Sequence, residues 1–298
     1  MSAFKKIALI GFGEVGQTLA EDLTKAGAEL SAFDILFADC ATEPSKAVAR
    51  TSVRAGADAH DAVKGAELII SAVTPAADID AARAAAGAIA KGAYFLDLNS
   101  ASPGGKLACQ KIIEGAGGLY VEAAVMTPIE GKRIASPMLL GGGQAQALMI
   151  RARPLGFAGE VFCDEVGVAS VAKLCRSVII KGLEALLSES MLVARSYGVE
   201  KAVLDSLDDL LPQADWEKFA RYMISRALKH GSRRAEEMRE AAKTVEETGV
   251  APFMATATAQ RQEWSALRKQ ALAQAGDLGA MLDAMRKTLE KDGRFDTA

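Results

Sequence analysis

The chain has 298 residues, half of them hydrophobic and 24% charged, with 35 Lys and Arg against 38 Asp and Glu. This is an ordinary globular balance, with room for one large domain or two of common size. A net charge of −3 gives no global reason to expect nucleic acid or an anionic membrane as a partner.

The opening MSAFKKIALIGFG breaks into glycines too soon for a signal peptide, and no apolar stretch is long enough to span a bilayer. Cys40, Cys109, Cys163 and Cys175 lack metal-ligand spacing and read as reduced thiols. A cytoplasmic protein is expected.

KIALI (Lys6 to Ile10) is a β-branched run ending in glycine and reads as a buried strand. EVGQTLAEDLTKAG follows as a helix with Gly27 as its end signal, and ELSAF is the next strand. AELIISAVT and AYFLDLNS are two more strands, separated by the Ala-rich helix DIDAARAAAGAIAKG, and LYVEAAVM and SPMLLGGG add later ones. Strands alternating with helices predict a parallel sheet covered on both faces. After about residue 165 the pattern turns helical: 168–197, 200–211, 214–229, 232–248 and 259–291. The expected fold is α/β, a doubly wound Rossmann-type sheet over residues 1–165, followed by an all-α domain over 166–298.

Gly11, Phe12, Gly13, Glu14, Val15 and Gly16 form a G-x-G-x-x-G turn between the first strand and the first helix. The first glycine permits the turn, the second lets a pyrophosphate approach the backbone, and the third lets helix and sheet pack closely. Free N–H groups at the helix start suit an anion. Asp34 ends the next strand at the spacing expected of a ribose-binding carboxylate, which favours NAD over NADP. Lys46 and Arg50 follow closely and keep NADP open. The other reading is a tight turn without a ligand. Val73, Thr74 and Pro75 end one strand, and Asn99, Ser100 and Ser102 end another. Strand ends of this kind line a ligand crevice, although Ser102 before Pro103 is also a good helix start.

In GVASVAKLCRSVIIKGLEALLSES, residues Lys173, Ser177, Lys181, Glu184 and Ser188 fall on one stripe under about 90° wide. Leu174, Val178, Ile179, Leu183, Leu186 and Leu187 cover much of the rest. The spacing leaves two readings open, a face turned to a polar cavity or a solvated face with a Lys181–Glu184 pair.

GFGEVG, SAVTP, DLNSASP and GVASVAKLCRS together resemble the β-hydroxyacid dehydrogenase superfamily, which includes 6-phosphogluconate and 3-hydroxyisobutyrate dehydrogenases. The likeness covers nearly the whole chain, and the C-terminal stretch resembles a poorly characterised branch. It implies a nicotinamide cofactor, an anionic small-molecule substrate and a homodimer. Lys173 falls on the family's catalytic lysine and Ser177 replaces its substrate-holding asparagine. Ser100, Thr127, Ser177 and Lys181 would then position the substrate. In EAAVMTP, Met126 stands at the family's carboxylate-binding serine, and Thr127 and Pro128 at its glycines. Met126 would offer an adaptable apolar wall. The altered loop and the Asn-to-Ser change argue against an ordinary small 3-hydroxy-acid dehydrogenase and against a true 6-phosphogluconate dehydrogenase. His230, among Lys229, Arg233 and Arg234, is a candidate for an anionic substrate group or else a solvated helix end. An imine reductase and a nucleotide-binding sensor without turnover are the rival functions; the retained lysine favours alcohol chemistry.

Overall fold

A computed structural model describes residues 2–207, 215–274 and 277–291. The chain forms two compact units, Met1–Leu174 and Cys175–Ala298. In the first unit β1 (Lys6–Ile10), α1 (Glu14–Lys25), β2 (Glu29–Phe33), α2 (Glu43–Val48), β3 (Arg54–Ala55) and α3 (Ala59–Val63) come first. They are followed by β4 (Leu68–Ser71), α4 (Asp78–Ala86), β5 (Tyr94–Asp97), α5 (Pro103–Gly115) and β6 (Leu119–Val125). Then come α6 (Ile129–Lys132), β7 (Met138–Gly141), α7 (Ala145–Ala152) and β8 (Gly159–Cys163). The helix α8 (Val168–Tyr197) runs from the first unit into the second, which holds α9 (Glu200–Asp205), α10 (Trp216–Glu246), α11 (Phe253–Ala266) and α12 (Leu278–Lys291).

The sheet has eight strands in the order β3-β2-β1-β4-β5-β6-β7-β8. Successive residues of each central strand enter opposite cores. Leu9, Leu68, Ile70 and Leu96 pack with α1 and α7 residues such as Leu19 and Leu148. Ala8, Ile10, Ile69 and Phe95 pack with Ala62, Ala82 and Cys109 from α3, α4 and α5. Burial on both faces explains why these strands read as continuous apolar runs. The chain order reverses between β1 and β4, so their carboxyl ends open a crevice there.

Four expectations need correction. The sheet is not wholly parallel: β7 pairs antiparallel with β6. The link between them holds only four-residue α6 and a short 3-10 turn, and it closes with Met126 N–H donating to the Pro137 carbonyl at 2.9 Å. No element there crosses a sheet face, as a parallel connection requires. The sequence pattern also missed β8, a half-exposed edge strand, and the two-residue β3. The helices expected at 214–229 and 232–248 are one helix, α10. Gly231 does not break it. It lets α11 approach so closely that a Cβ would lie 2.3 Å from the Gln262 carbonyl oxygen. The helix expected over 259–291 is divided: α11 starts earlier, after Pro252, and a 3-10 turn over Lys269–Gln274 precedes α12. α9 ends at Asp205, and the later part of the helix expected over 200–211 lies outside the described residues.

In the second unit Leu187, Met191, Met223, Ile224, Leu228, Met281 and Met285 form the core.

Candidate active site

The glycine turn is built on two close approaches. Gly11 has φ 94°, and a Cβ on it would lie 2.3 Å from the Ala72 carbonyl oxygen. A Cβ on Gly16 would lie 2.2 Å from the Gly11 carbonyl oxygen. Space is open at Gly13, where nothing lies within 4 Å of a Cβ, and no side chain caps the start of α1 there. An uncapped helix start beside open space is what a pyrophosphate needs. Glu14 and Val15 form the first turn of that helix. The Phe12 ring is wholly buried in edge contact with Phe37, and its N–H donates to Asp34 Oδ2 at 2.7 Å. Asp34 Oδ1 accepts from Leu36 N at 2.9 Å. The carboxylate at the end of β2 is thus fixed beside the turn, and a dinucleotide fits these residues.

The neighbouring strand ends are tied together by a buried network. Asn99 Oδ1 accepts from Val73 N at 2.7 Å. Its amide donates to Ser71 Oγ at 2.9 Å and to Asp78 Oδ1 at 2.6 Å. Thr74 and Pro75 follow on a short 3-10 turn. Beneath Asn99, Asp97 accepts from Asn99 N at 2.9 Å and from Tyr120 Oη at 2.6 Å. Lys106 Nζ lies 2.6 Å from Asp97 and 3.7 Å from Asp78. Burial pushes Asp78 up to about 6, against the pull of Lys106. Burial disfavours the Lys106 charge, but Asp97 and Asp78 outweigh it and hold the ammonium above its ordinary range. Asp78, Asp97 and Cys109 converge as a metal site would, yet the lysine ammonium already supplies the cation there. Asp78, Asp97, Lys106 and Tyr120 escaped the sequence reading. The available signal was an aspartate inside the apolar run YFLDL, since charges in such runs are seldom buried unpaired.

Lys173 meets the same strand end, one residue after Asn99. Its Nζ donates to Ser100 Oγ at 2.6 Å. Ser102 caps α5, accepting from Gly105 N at 3.3 Å. Glu122 on β6 is fully buried and accepts from Gly167 N at 2.7 Å, Ala169 N at 3.1 Å and Ser170 Oγ at 2.6 Å. In the loop after β6, Met126 is half-buried, and the Thr127 hydroxyl is buried without a hydrogen-bond partner.

The second unit places the other stripe residues. Ser177, Lys181, Glu184 and Ser188 are buried, whereas Ile179 and Leu186 are exposed at 65% and 56%. The solvated-face reading therefore fails. Lys181 Nζ pairs with Glu237 at 2.8 Å and donates to Ser177 Oγ at 2.8 Å. Burial holds its ammonium below the ordinary range, with Glu237 opposing. Glu184 pairs with Arg234 and accepts from Gln262 Nε2 at 2.8 Å, so the expected Lys181–Glu184 pair is replaced by partners from α10 and α11. His230 lies inside α10, not at a helix end, because the two expected helices are one. It borders a shallow depression with Lys229, Arg233 and Lys269. Partial burial, then Arg233, Arg234, Lys229 and Arg226, hold it below the usual imidazole range.

Strand order, the glycine turn and the carboxylate fixed at the end of β2 together define a dinucleotide-binding fold. Comparison with known proteins gives the family. The model for the NAD binding domain of 6-phosphogluconate dehydrogenase matches residues 6–160, and a domain of unknown function matches residues 194–265. The chain belongs to that dehydrogenase family, within the β-hydroxyacid dehydrogenase superfamily. An uncharacterized 28.5 kDa protein of Methanothermus fervidus is 32% identical over 85% of this chain and 96% of its own. The mitochondrial 3-hydroxyisobutyrate dehydrogenase of Drosophila melanogaster is 27% identical over 67% of this chain, a match spanning only 61% of that enzyme. The solved structure of a conserved hypothetical protein from Sinorhizobium meliloti 1021 matches with a TM-score of 0.75 and 32% identity, over 95% of this chain and 96% of that one.

Proposed function

We propose that the protein interconverts a small hydroxy acid, or a related hydroxymethyl compound, with its carbonyl. The observation that carries this reading is the Lys173 Nζ contact with Ser100 Oγ at 2.6 Å, a lysine held at a strand end of a dinucleotide fold. The bound nicotinamide supplies the hydride acceptor. Lys173, as the neutral amine, takes the hydroxyl proton and returns it in the reverse direction. Ser100 orients the Lys173 amine. The unpartnered Thr127 hydroxyl offers a hydrogen bond to the substrate carboxylate. The turn from Gly11 to Gly16 binds the pyrophosphate, and Asp34 accepts from the ribose 2′-OH, which favours NAD over NADP.

The test follows nicotinamide reduction spectroscopically with NAD and NADP against a panel of 3-hydroxy acids, including 3-hydroxyisobutyrate and L-serine. Lys173→Ala is expected to lower kcat by about a hundredfold or more. Equal activity in the variant and the wild type would remove the lysine from the chemistry. Thr127→Val is expected to raise KM for the acid about tenfold with kcat little changed. Reduction of an imine panel with no alcohol oxidation would replace the reading with imine reduction. A homodimer accompanies the reading by family likeness, and light scattering of a monomer at micromolar concentration would count against it.

A further inference from the structure

Glu122 is fully buried on β6, and among the described residues its hydrogen-bond partners include no cation, Lys106 acting on it only through space. Its partners are all donors from the start of one helix. Oε1 accepts from Gly167 N at 2.7 Å and Ala169 N at 3.1 Å, while Oε2 accepts from Ser170 Oγ at 2.6 Å. An ionised carboxylate offers acceptors only. It therefore satisfies two of the N–H groups that a helix start leaves orphaned, at the end where the helix macrodipole is positive. The surroundings are shaped to admit it. A Cβ on Gly141 would lie 2.4 Å from Glu122 Oε1. On the opposite side Gly167, at φ 102°, packs so that its Cβ would meet Pro103 Cβ at 3.1 Å.

This clamp acts one turn before the reactive lysine. Ala169 and Ser170 lie four and three residues ahead of Lys173, so they share its side of the helix. Pro103, against Gly167, opens α5 three residues after Ser100, the partner of Lys173. Rotating or withdrawing the first turn of α8 would move Lys173 Nζ away from Ser100 Oγ. We infer that Glu122 is a positioning residue: its buried carboxylate sets the rotation and depth of the first turn of α8, and so the Lys173–Ser100 contact. The inference rests on Lys173 being the proton-transfer group.

The charge and the geometry can be separated. In Glu122→Gln the amide oxygen can keep both backbone bonds, and the amide nitrogen can donate to Ser170 Oγ, which accepts as readily as it donates. Glu122→Ala removes all three contacts. In full-length protein, kcat and both KM values are measured together with the thermal midpoint. The titration of Lys173 Nζ is followed by NMR of 13C-methylated lysines, assigned with Lys173→Arg. Glu122→Ala is expected to lose about tenfold or more in kcat while the KM for the nicotinamide cofactor holds within about twofold. Its Lys173 midpoint is expected to move by about half a unit or more. Glu122→Gln is expected to restore kcat to within about threefold of wild type. A folded Glu122→Ala protein that melts earlier but keeps the wild-type kcat and Lys173 midpoint overturns the inference and leaves Glu122 a purely structural cap. If Glu122→Ala does not fold, Ser170→Ala decides: a several-fold fall in kcat supports the clamp, an unchanged kcat overturns it. If wild type turns over no substrate, the proposed reaction fails, and the Lys173 midpoint in the variants still decides the clamp.

Discussion

Single residues divide by whether a spacing motif announces their constraint. Gly11 and Gly16 are legible in the sequence because the G-x-G-x-x-G spacing marks the turn, although only Gly16 answers a carbonyl of that turn, Gly11's at 2.2 Å, while Gly11 answers the Ala72 carbonyl beyond β4 at 2.3 Å. Gly11→Ala, at a positive φ against a backbone atom, is expected to abolish cofactor binding in a titration of nicotinamide fluorescence and to cost about 2 kcal/mol or more of stability. Asp78 is illegible because its partners, Asn99 and Lys106, come from distant parts of the chain. Its folded pKa of about 6 lies above its unfolded value, so its contribution to stability is full below pH of about 4 and fades as pH rises through about 6. Asp78→Asn has no such loss. From pH 4 to 7 the variant is expected to gain on wild type by up to about 3 kcal/mol, two pKa units, in paired denaturant melts. A gap that widens in the other direction would mean that folding lowers the Asp78 pKa instead of raising it.

Elements were read well where periodicity decides and poorly where a neighbour decides. The apolar runs of β1, β4 and β5 stand where expected because burial on both faces writes itself into consecutive residues. The polar stripe of α8 was also legible, but not what covers it. Helical spacing says which residues share a face, and nothing in it says that Glu237 and Arg234 come to meet them. Those pairs have unequal consequences. Lys181→Met leaves Glu237 with Arg233 at 3.1 Å, whereas Glu237→Gln strands a buried ammonium on Ser177. Glu237→Gln is expected to cost about 3 kcal/mol, and Lys181→Met clearly less, by chemical denaturation. Gly231 falls in the gap between the helices expected at 214–229 and 232–248, and within the single helix α10 it is a seat for the α11 backbone.

Across the whole molecule, alternation of strands and helices was enough for a doubly wound sheet holding β1, β2, β4, β5 and β6 and for a crevice at the strand ends; the strand order, its reversal point and the short β3 are visible only in the structure. It was not enough for the direction of β7, which depends on whether the preceding link can carry a helix across the sheet. The two halves of the sequence differ in pattern near residue 165, yet the first compact unit extends through Leu174. The reason is visible at Glu122, whose three donors all come from residues 167 to 170. Anyone dissecting this chain into pieces should therefore cut inside a helix instead of before it. A piece ending at residue 165 would keep a buried carboxyl group and discard the donors that satisfy it. A piece ending at Leu174 would carry them along, and it is expected to outlast the shorter one in a protease digest.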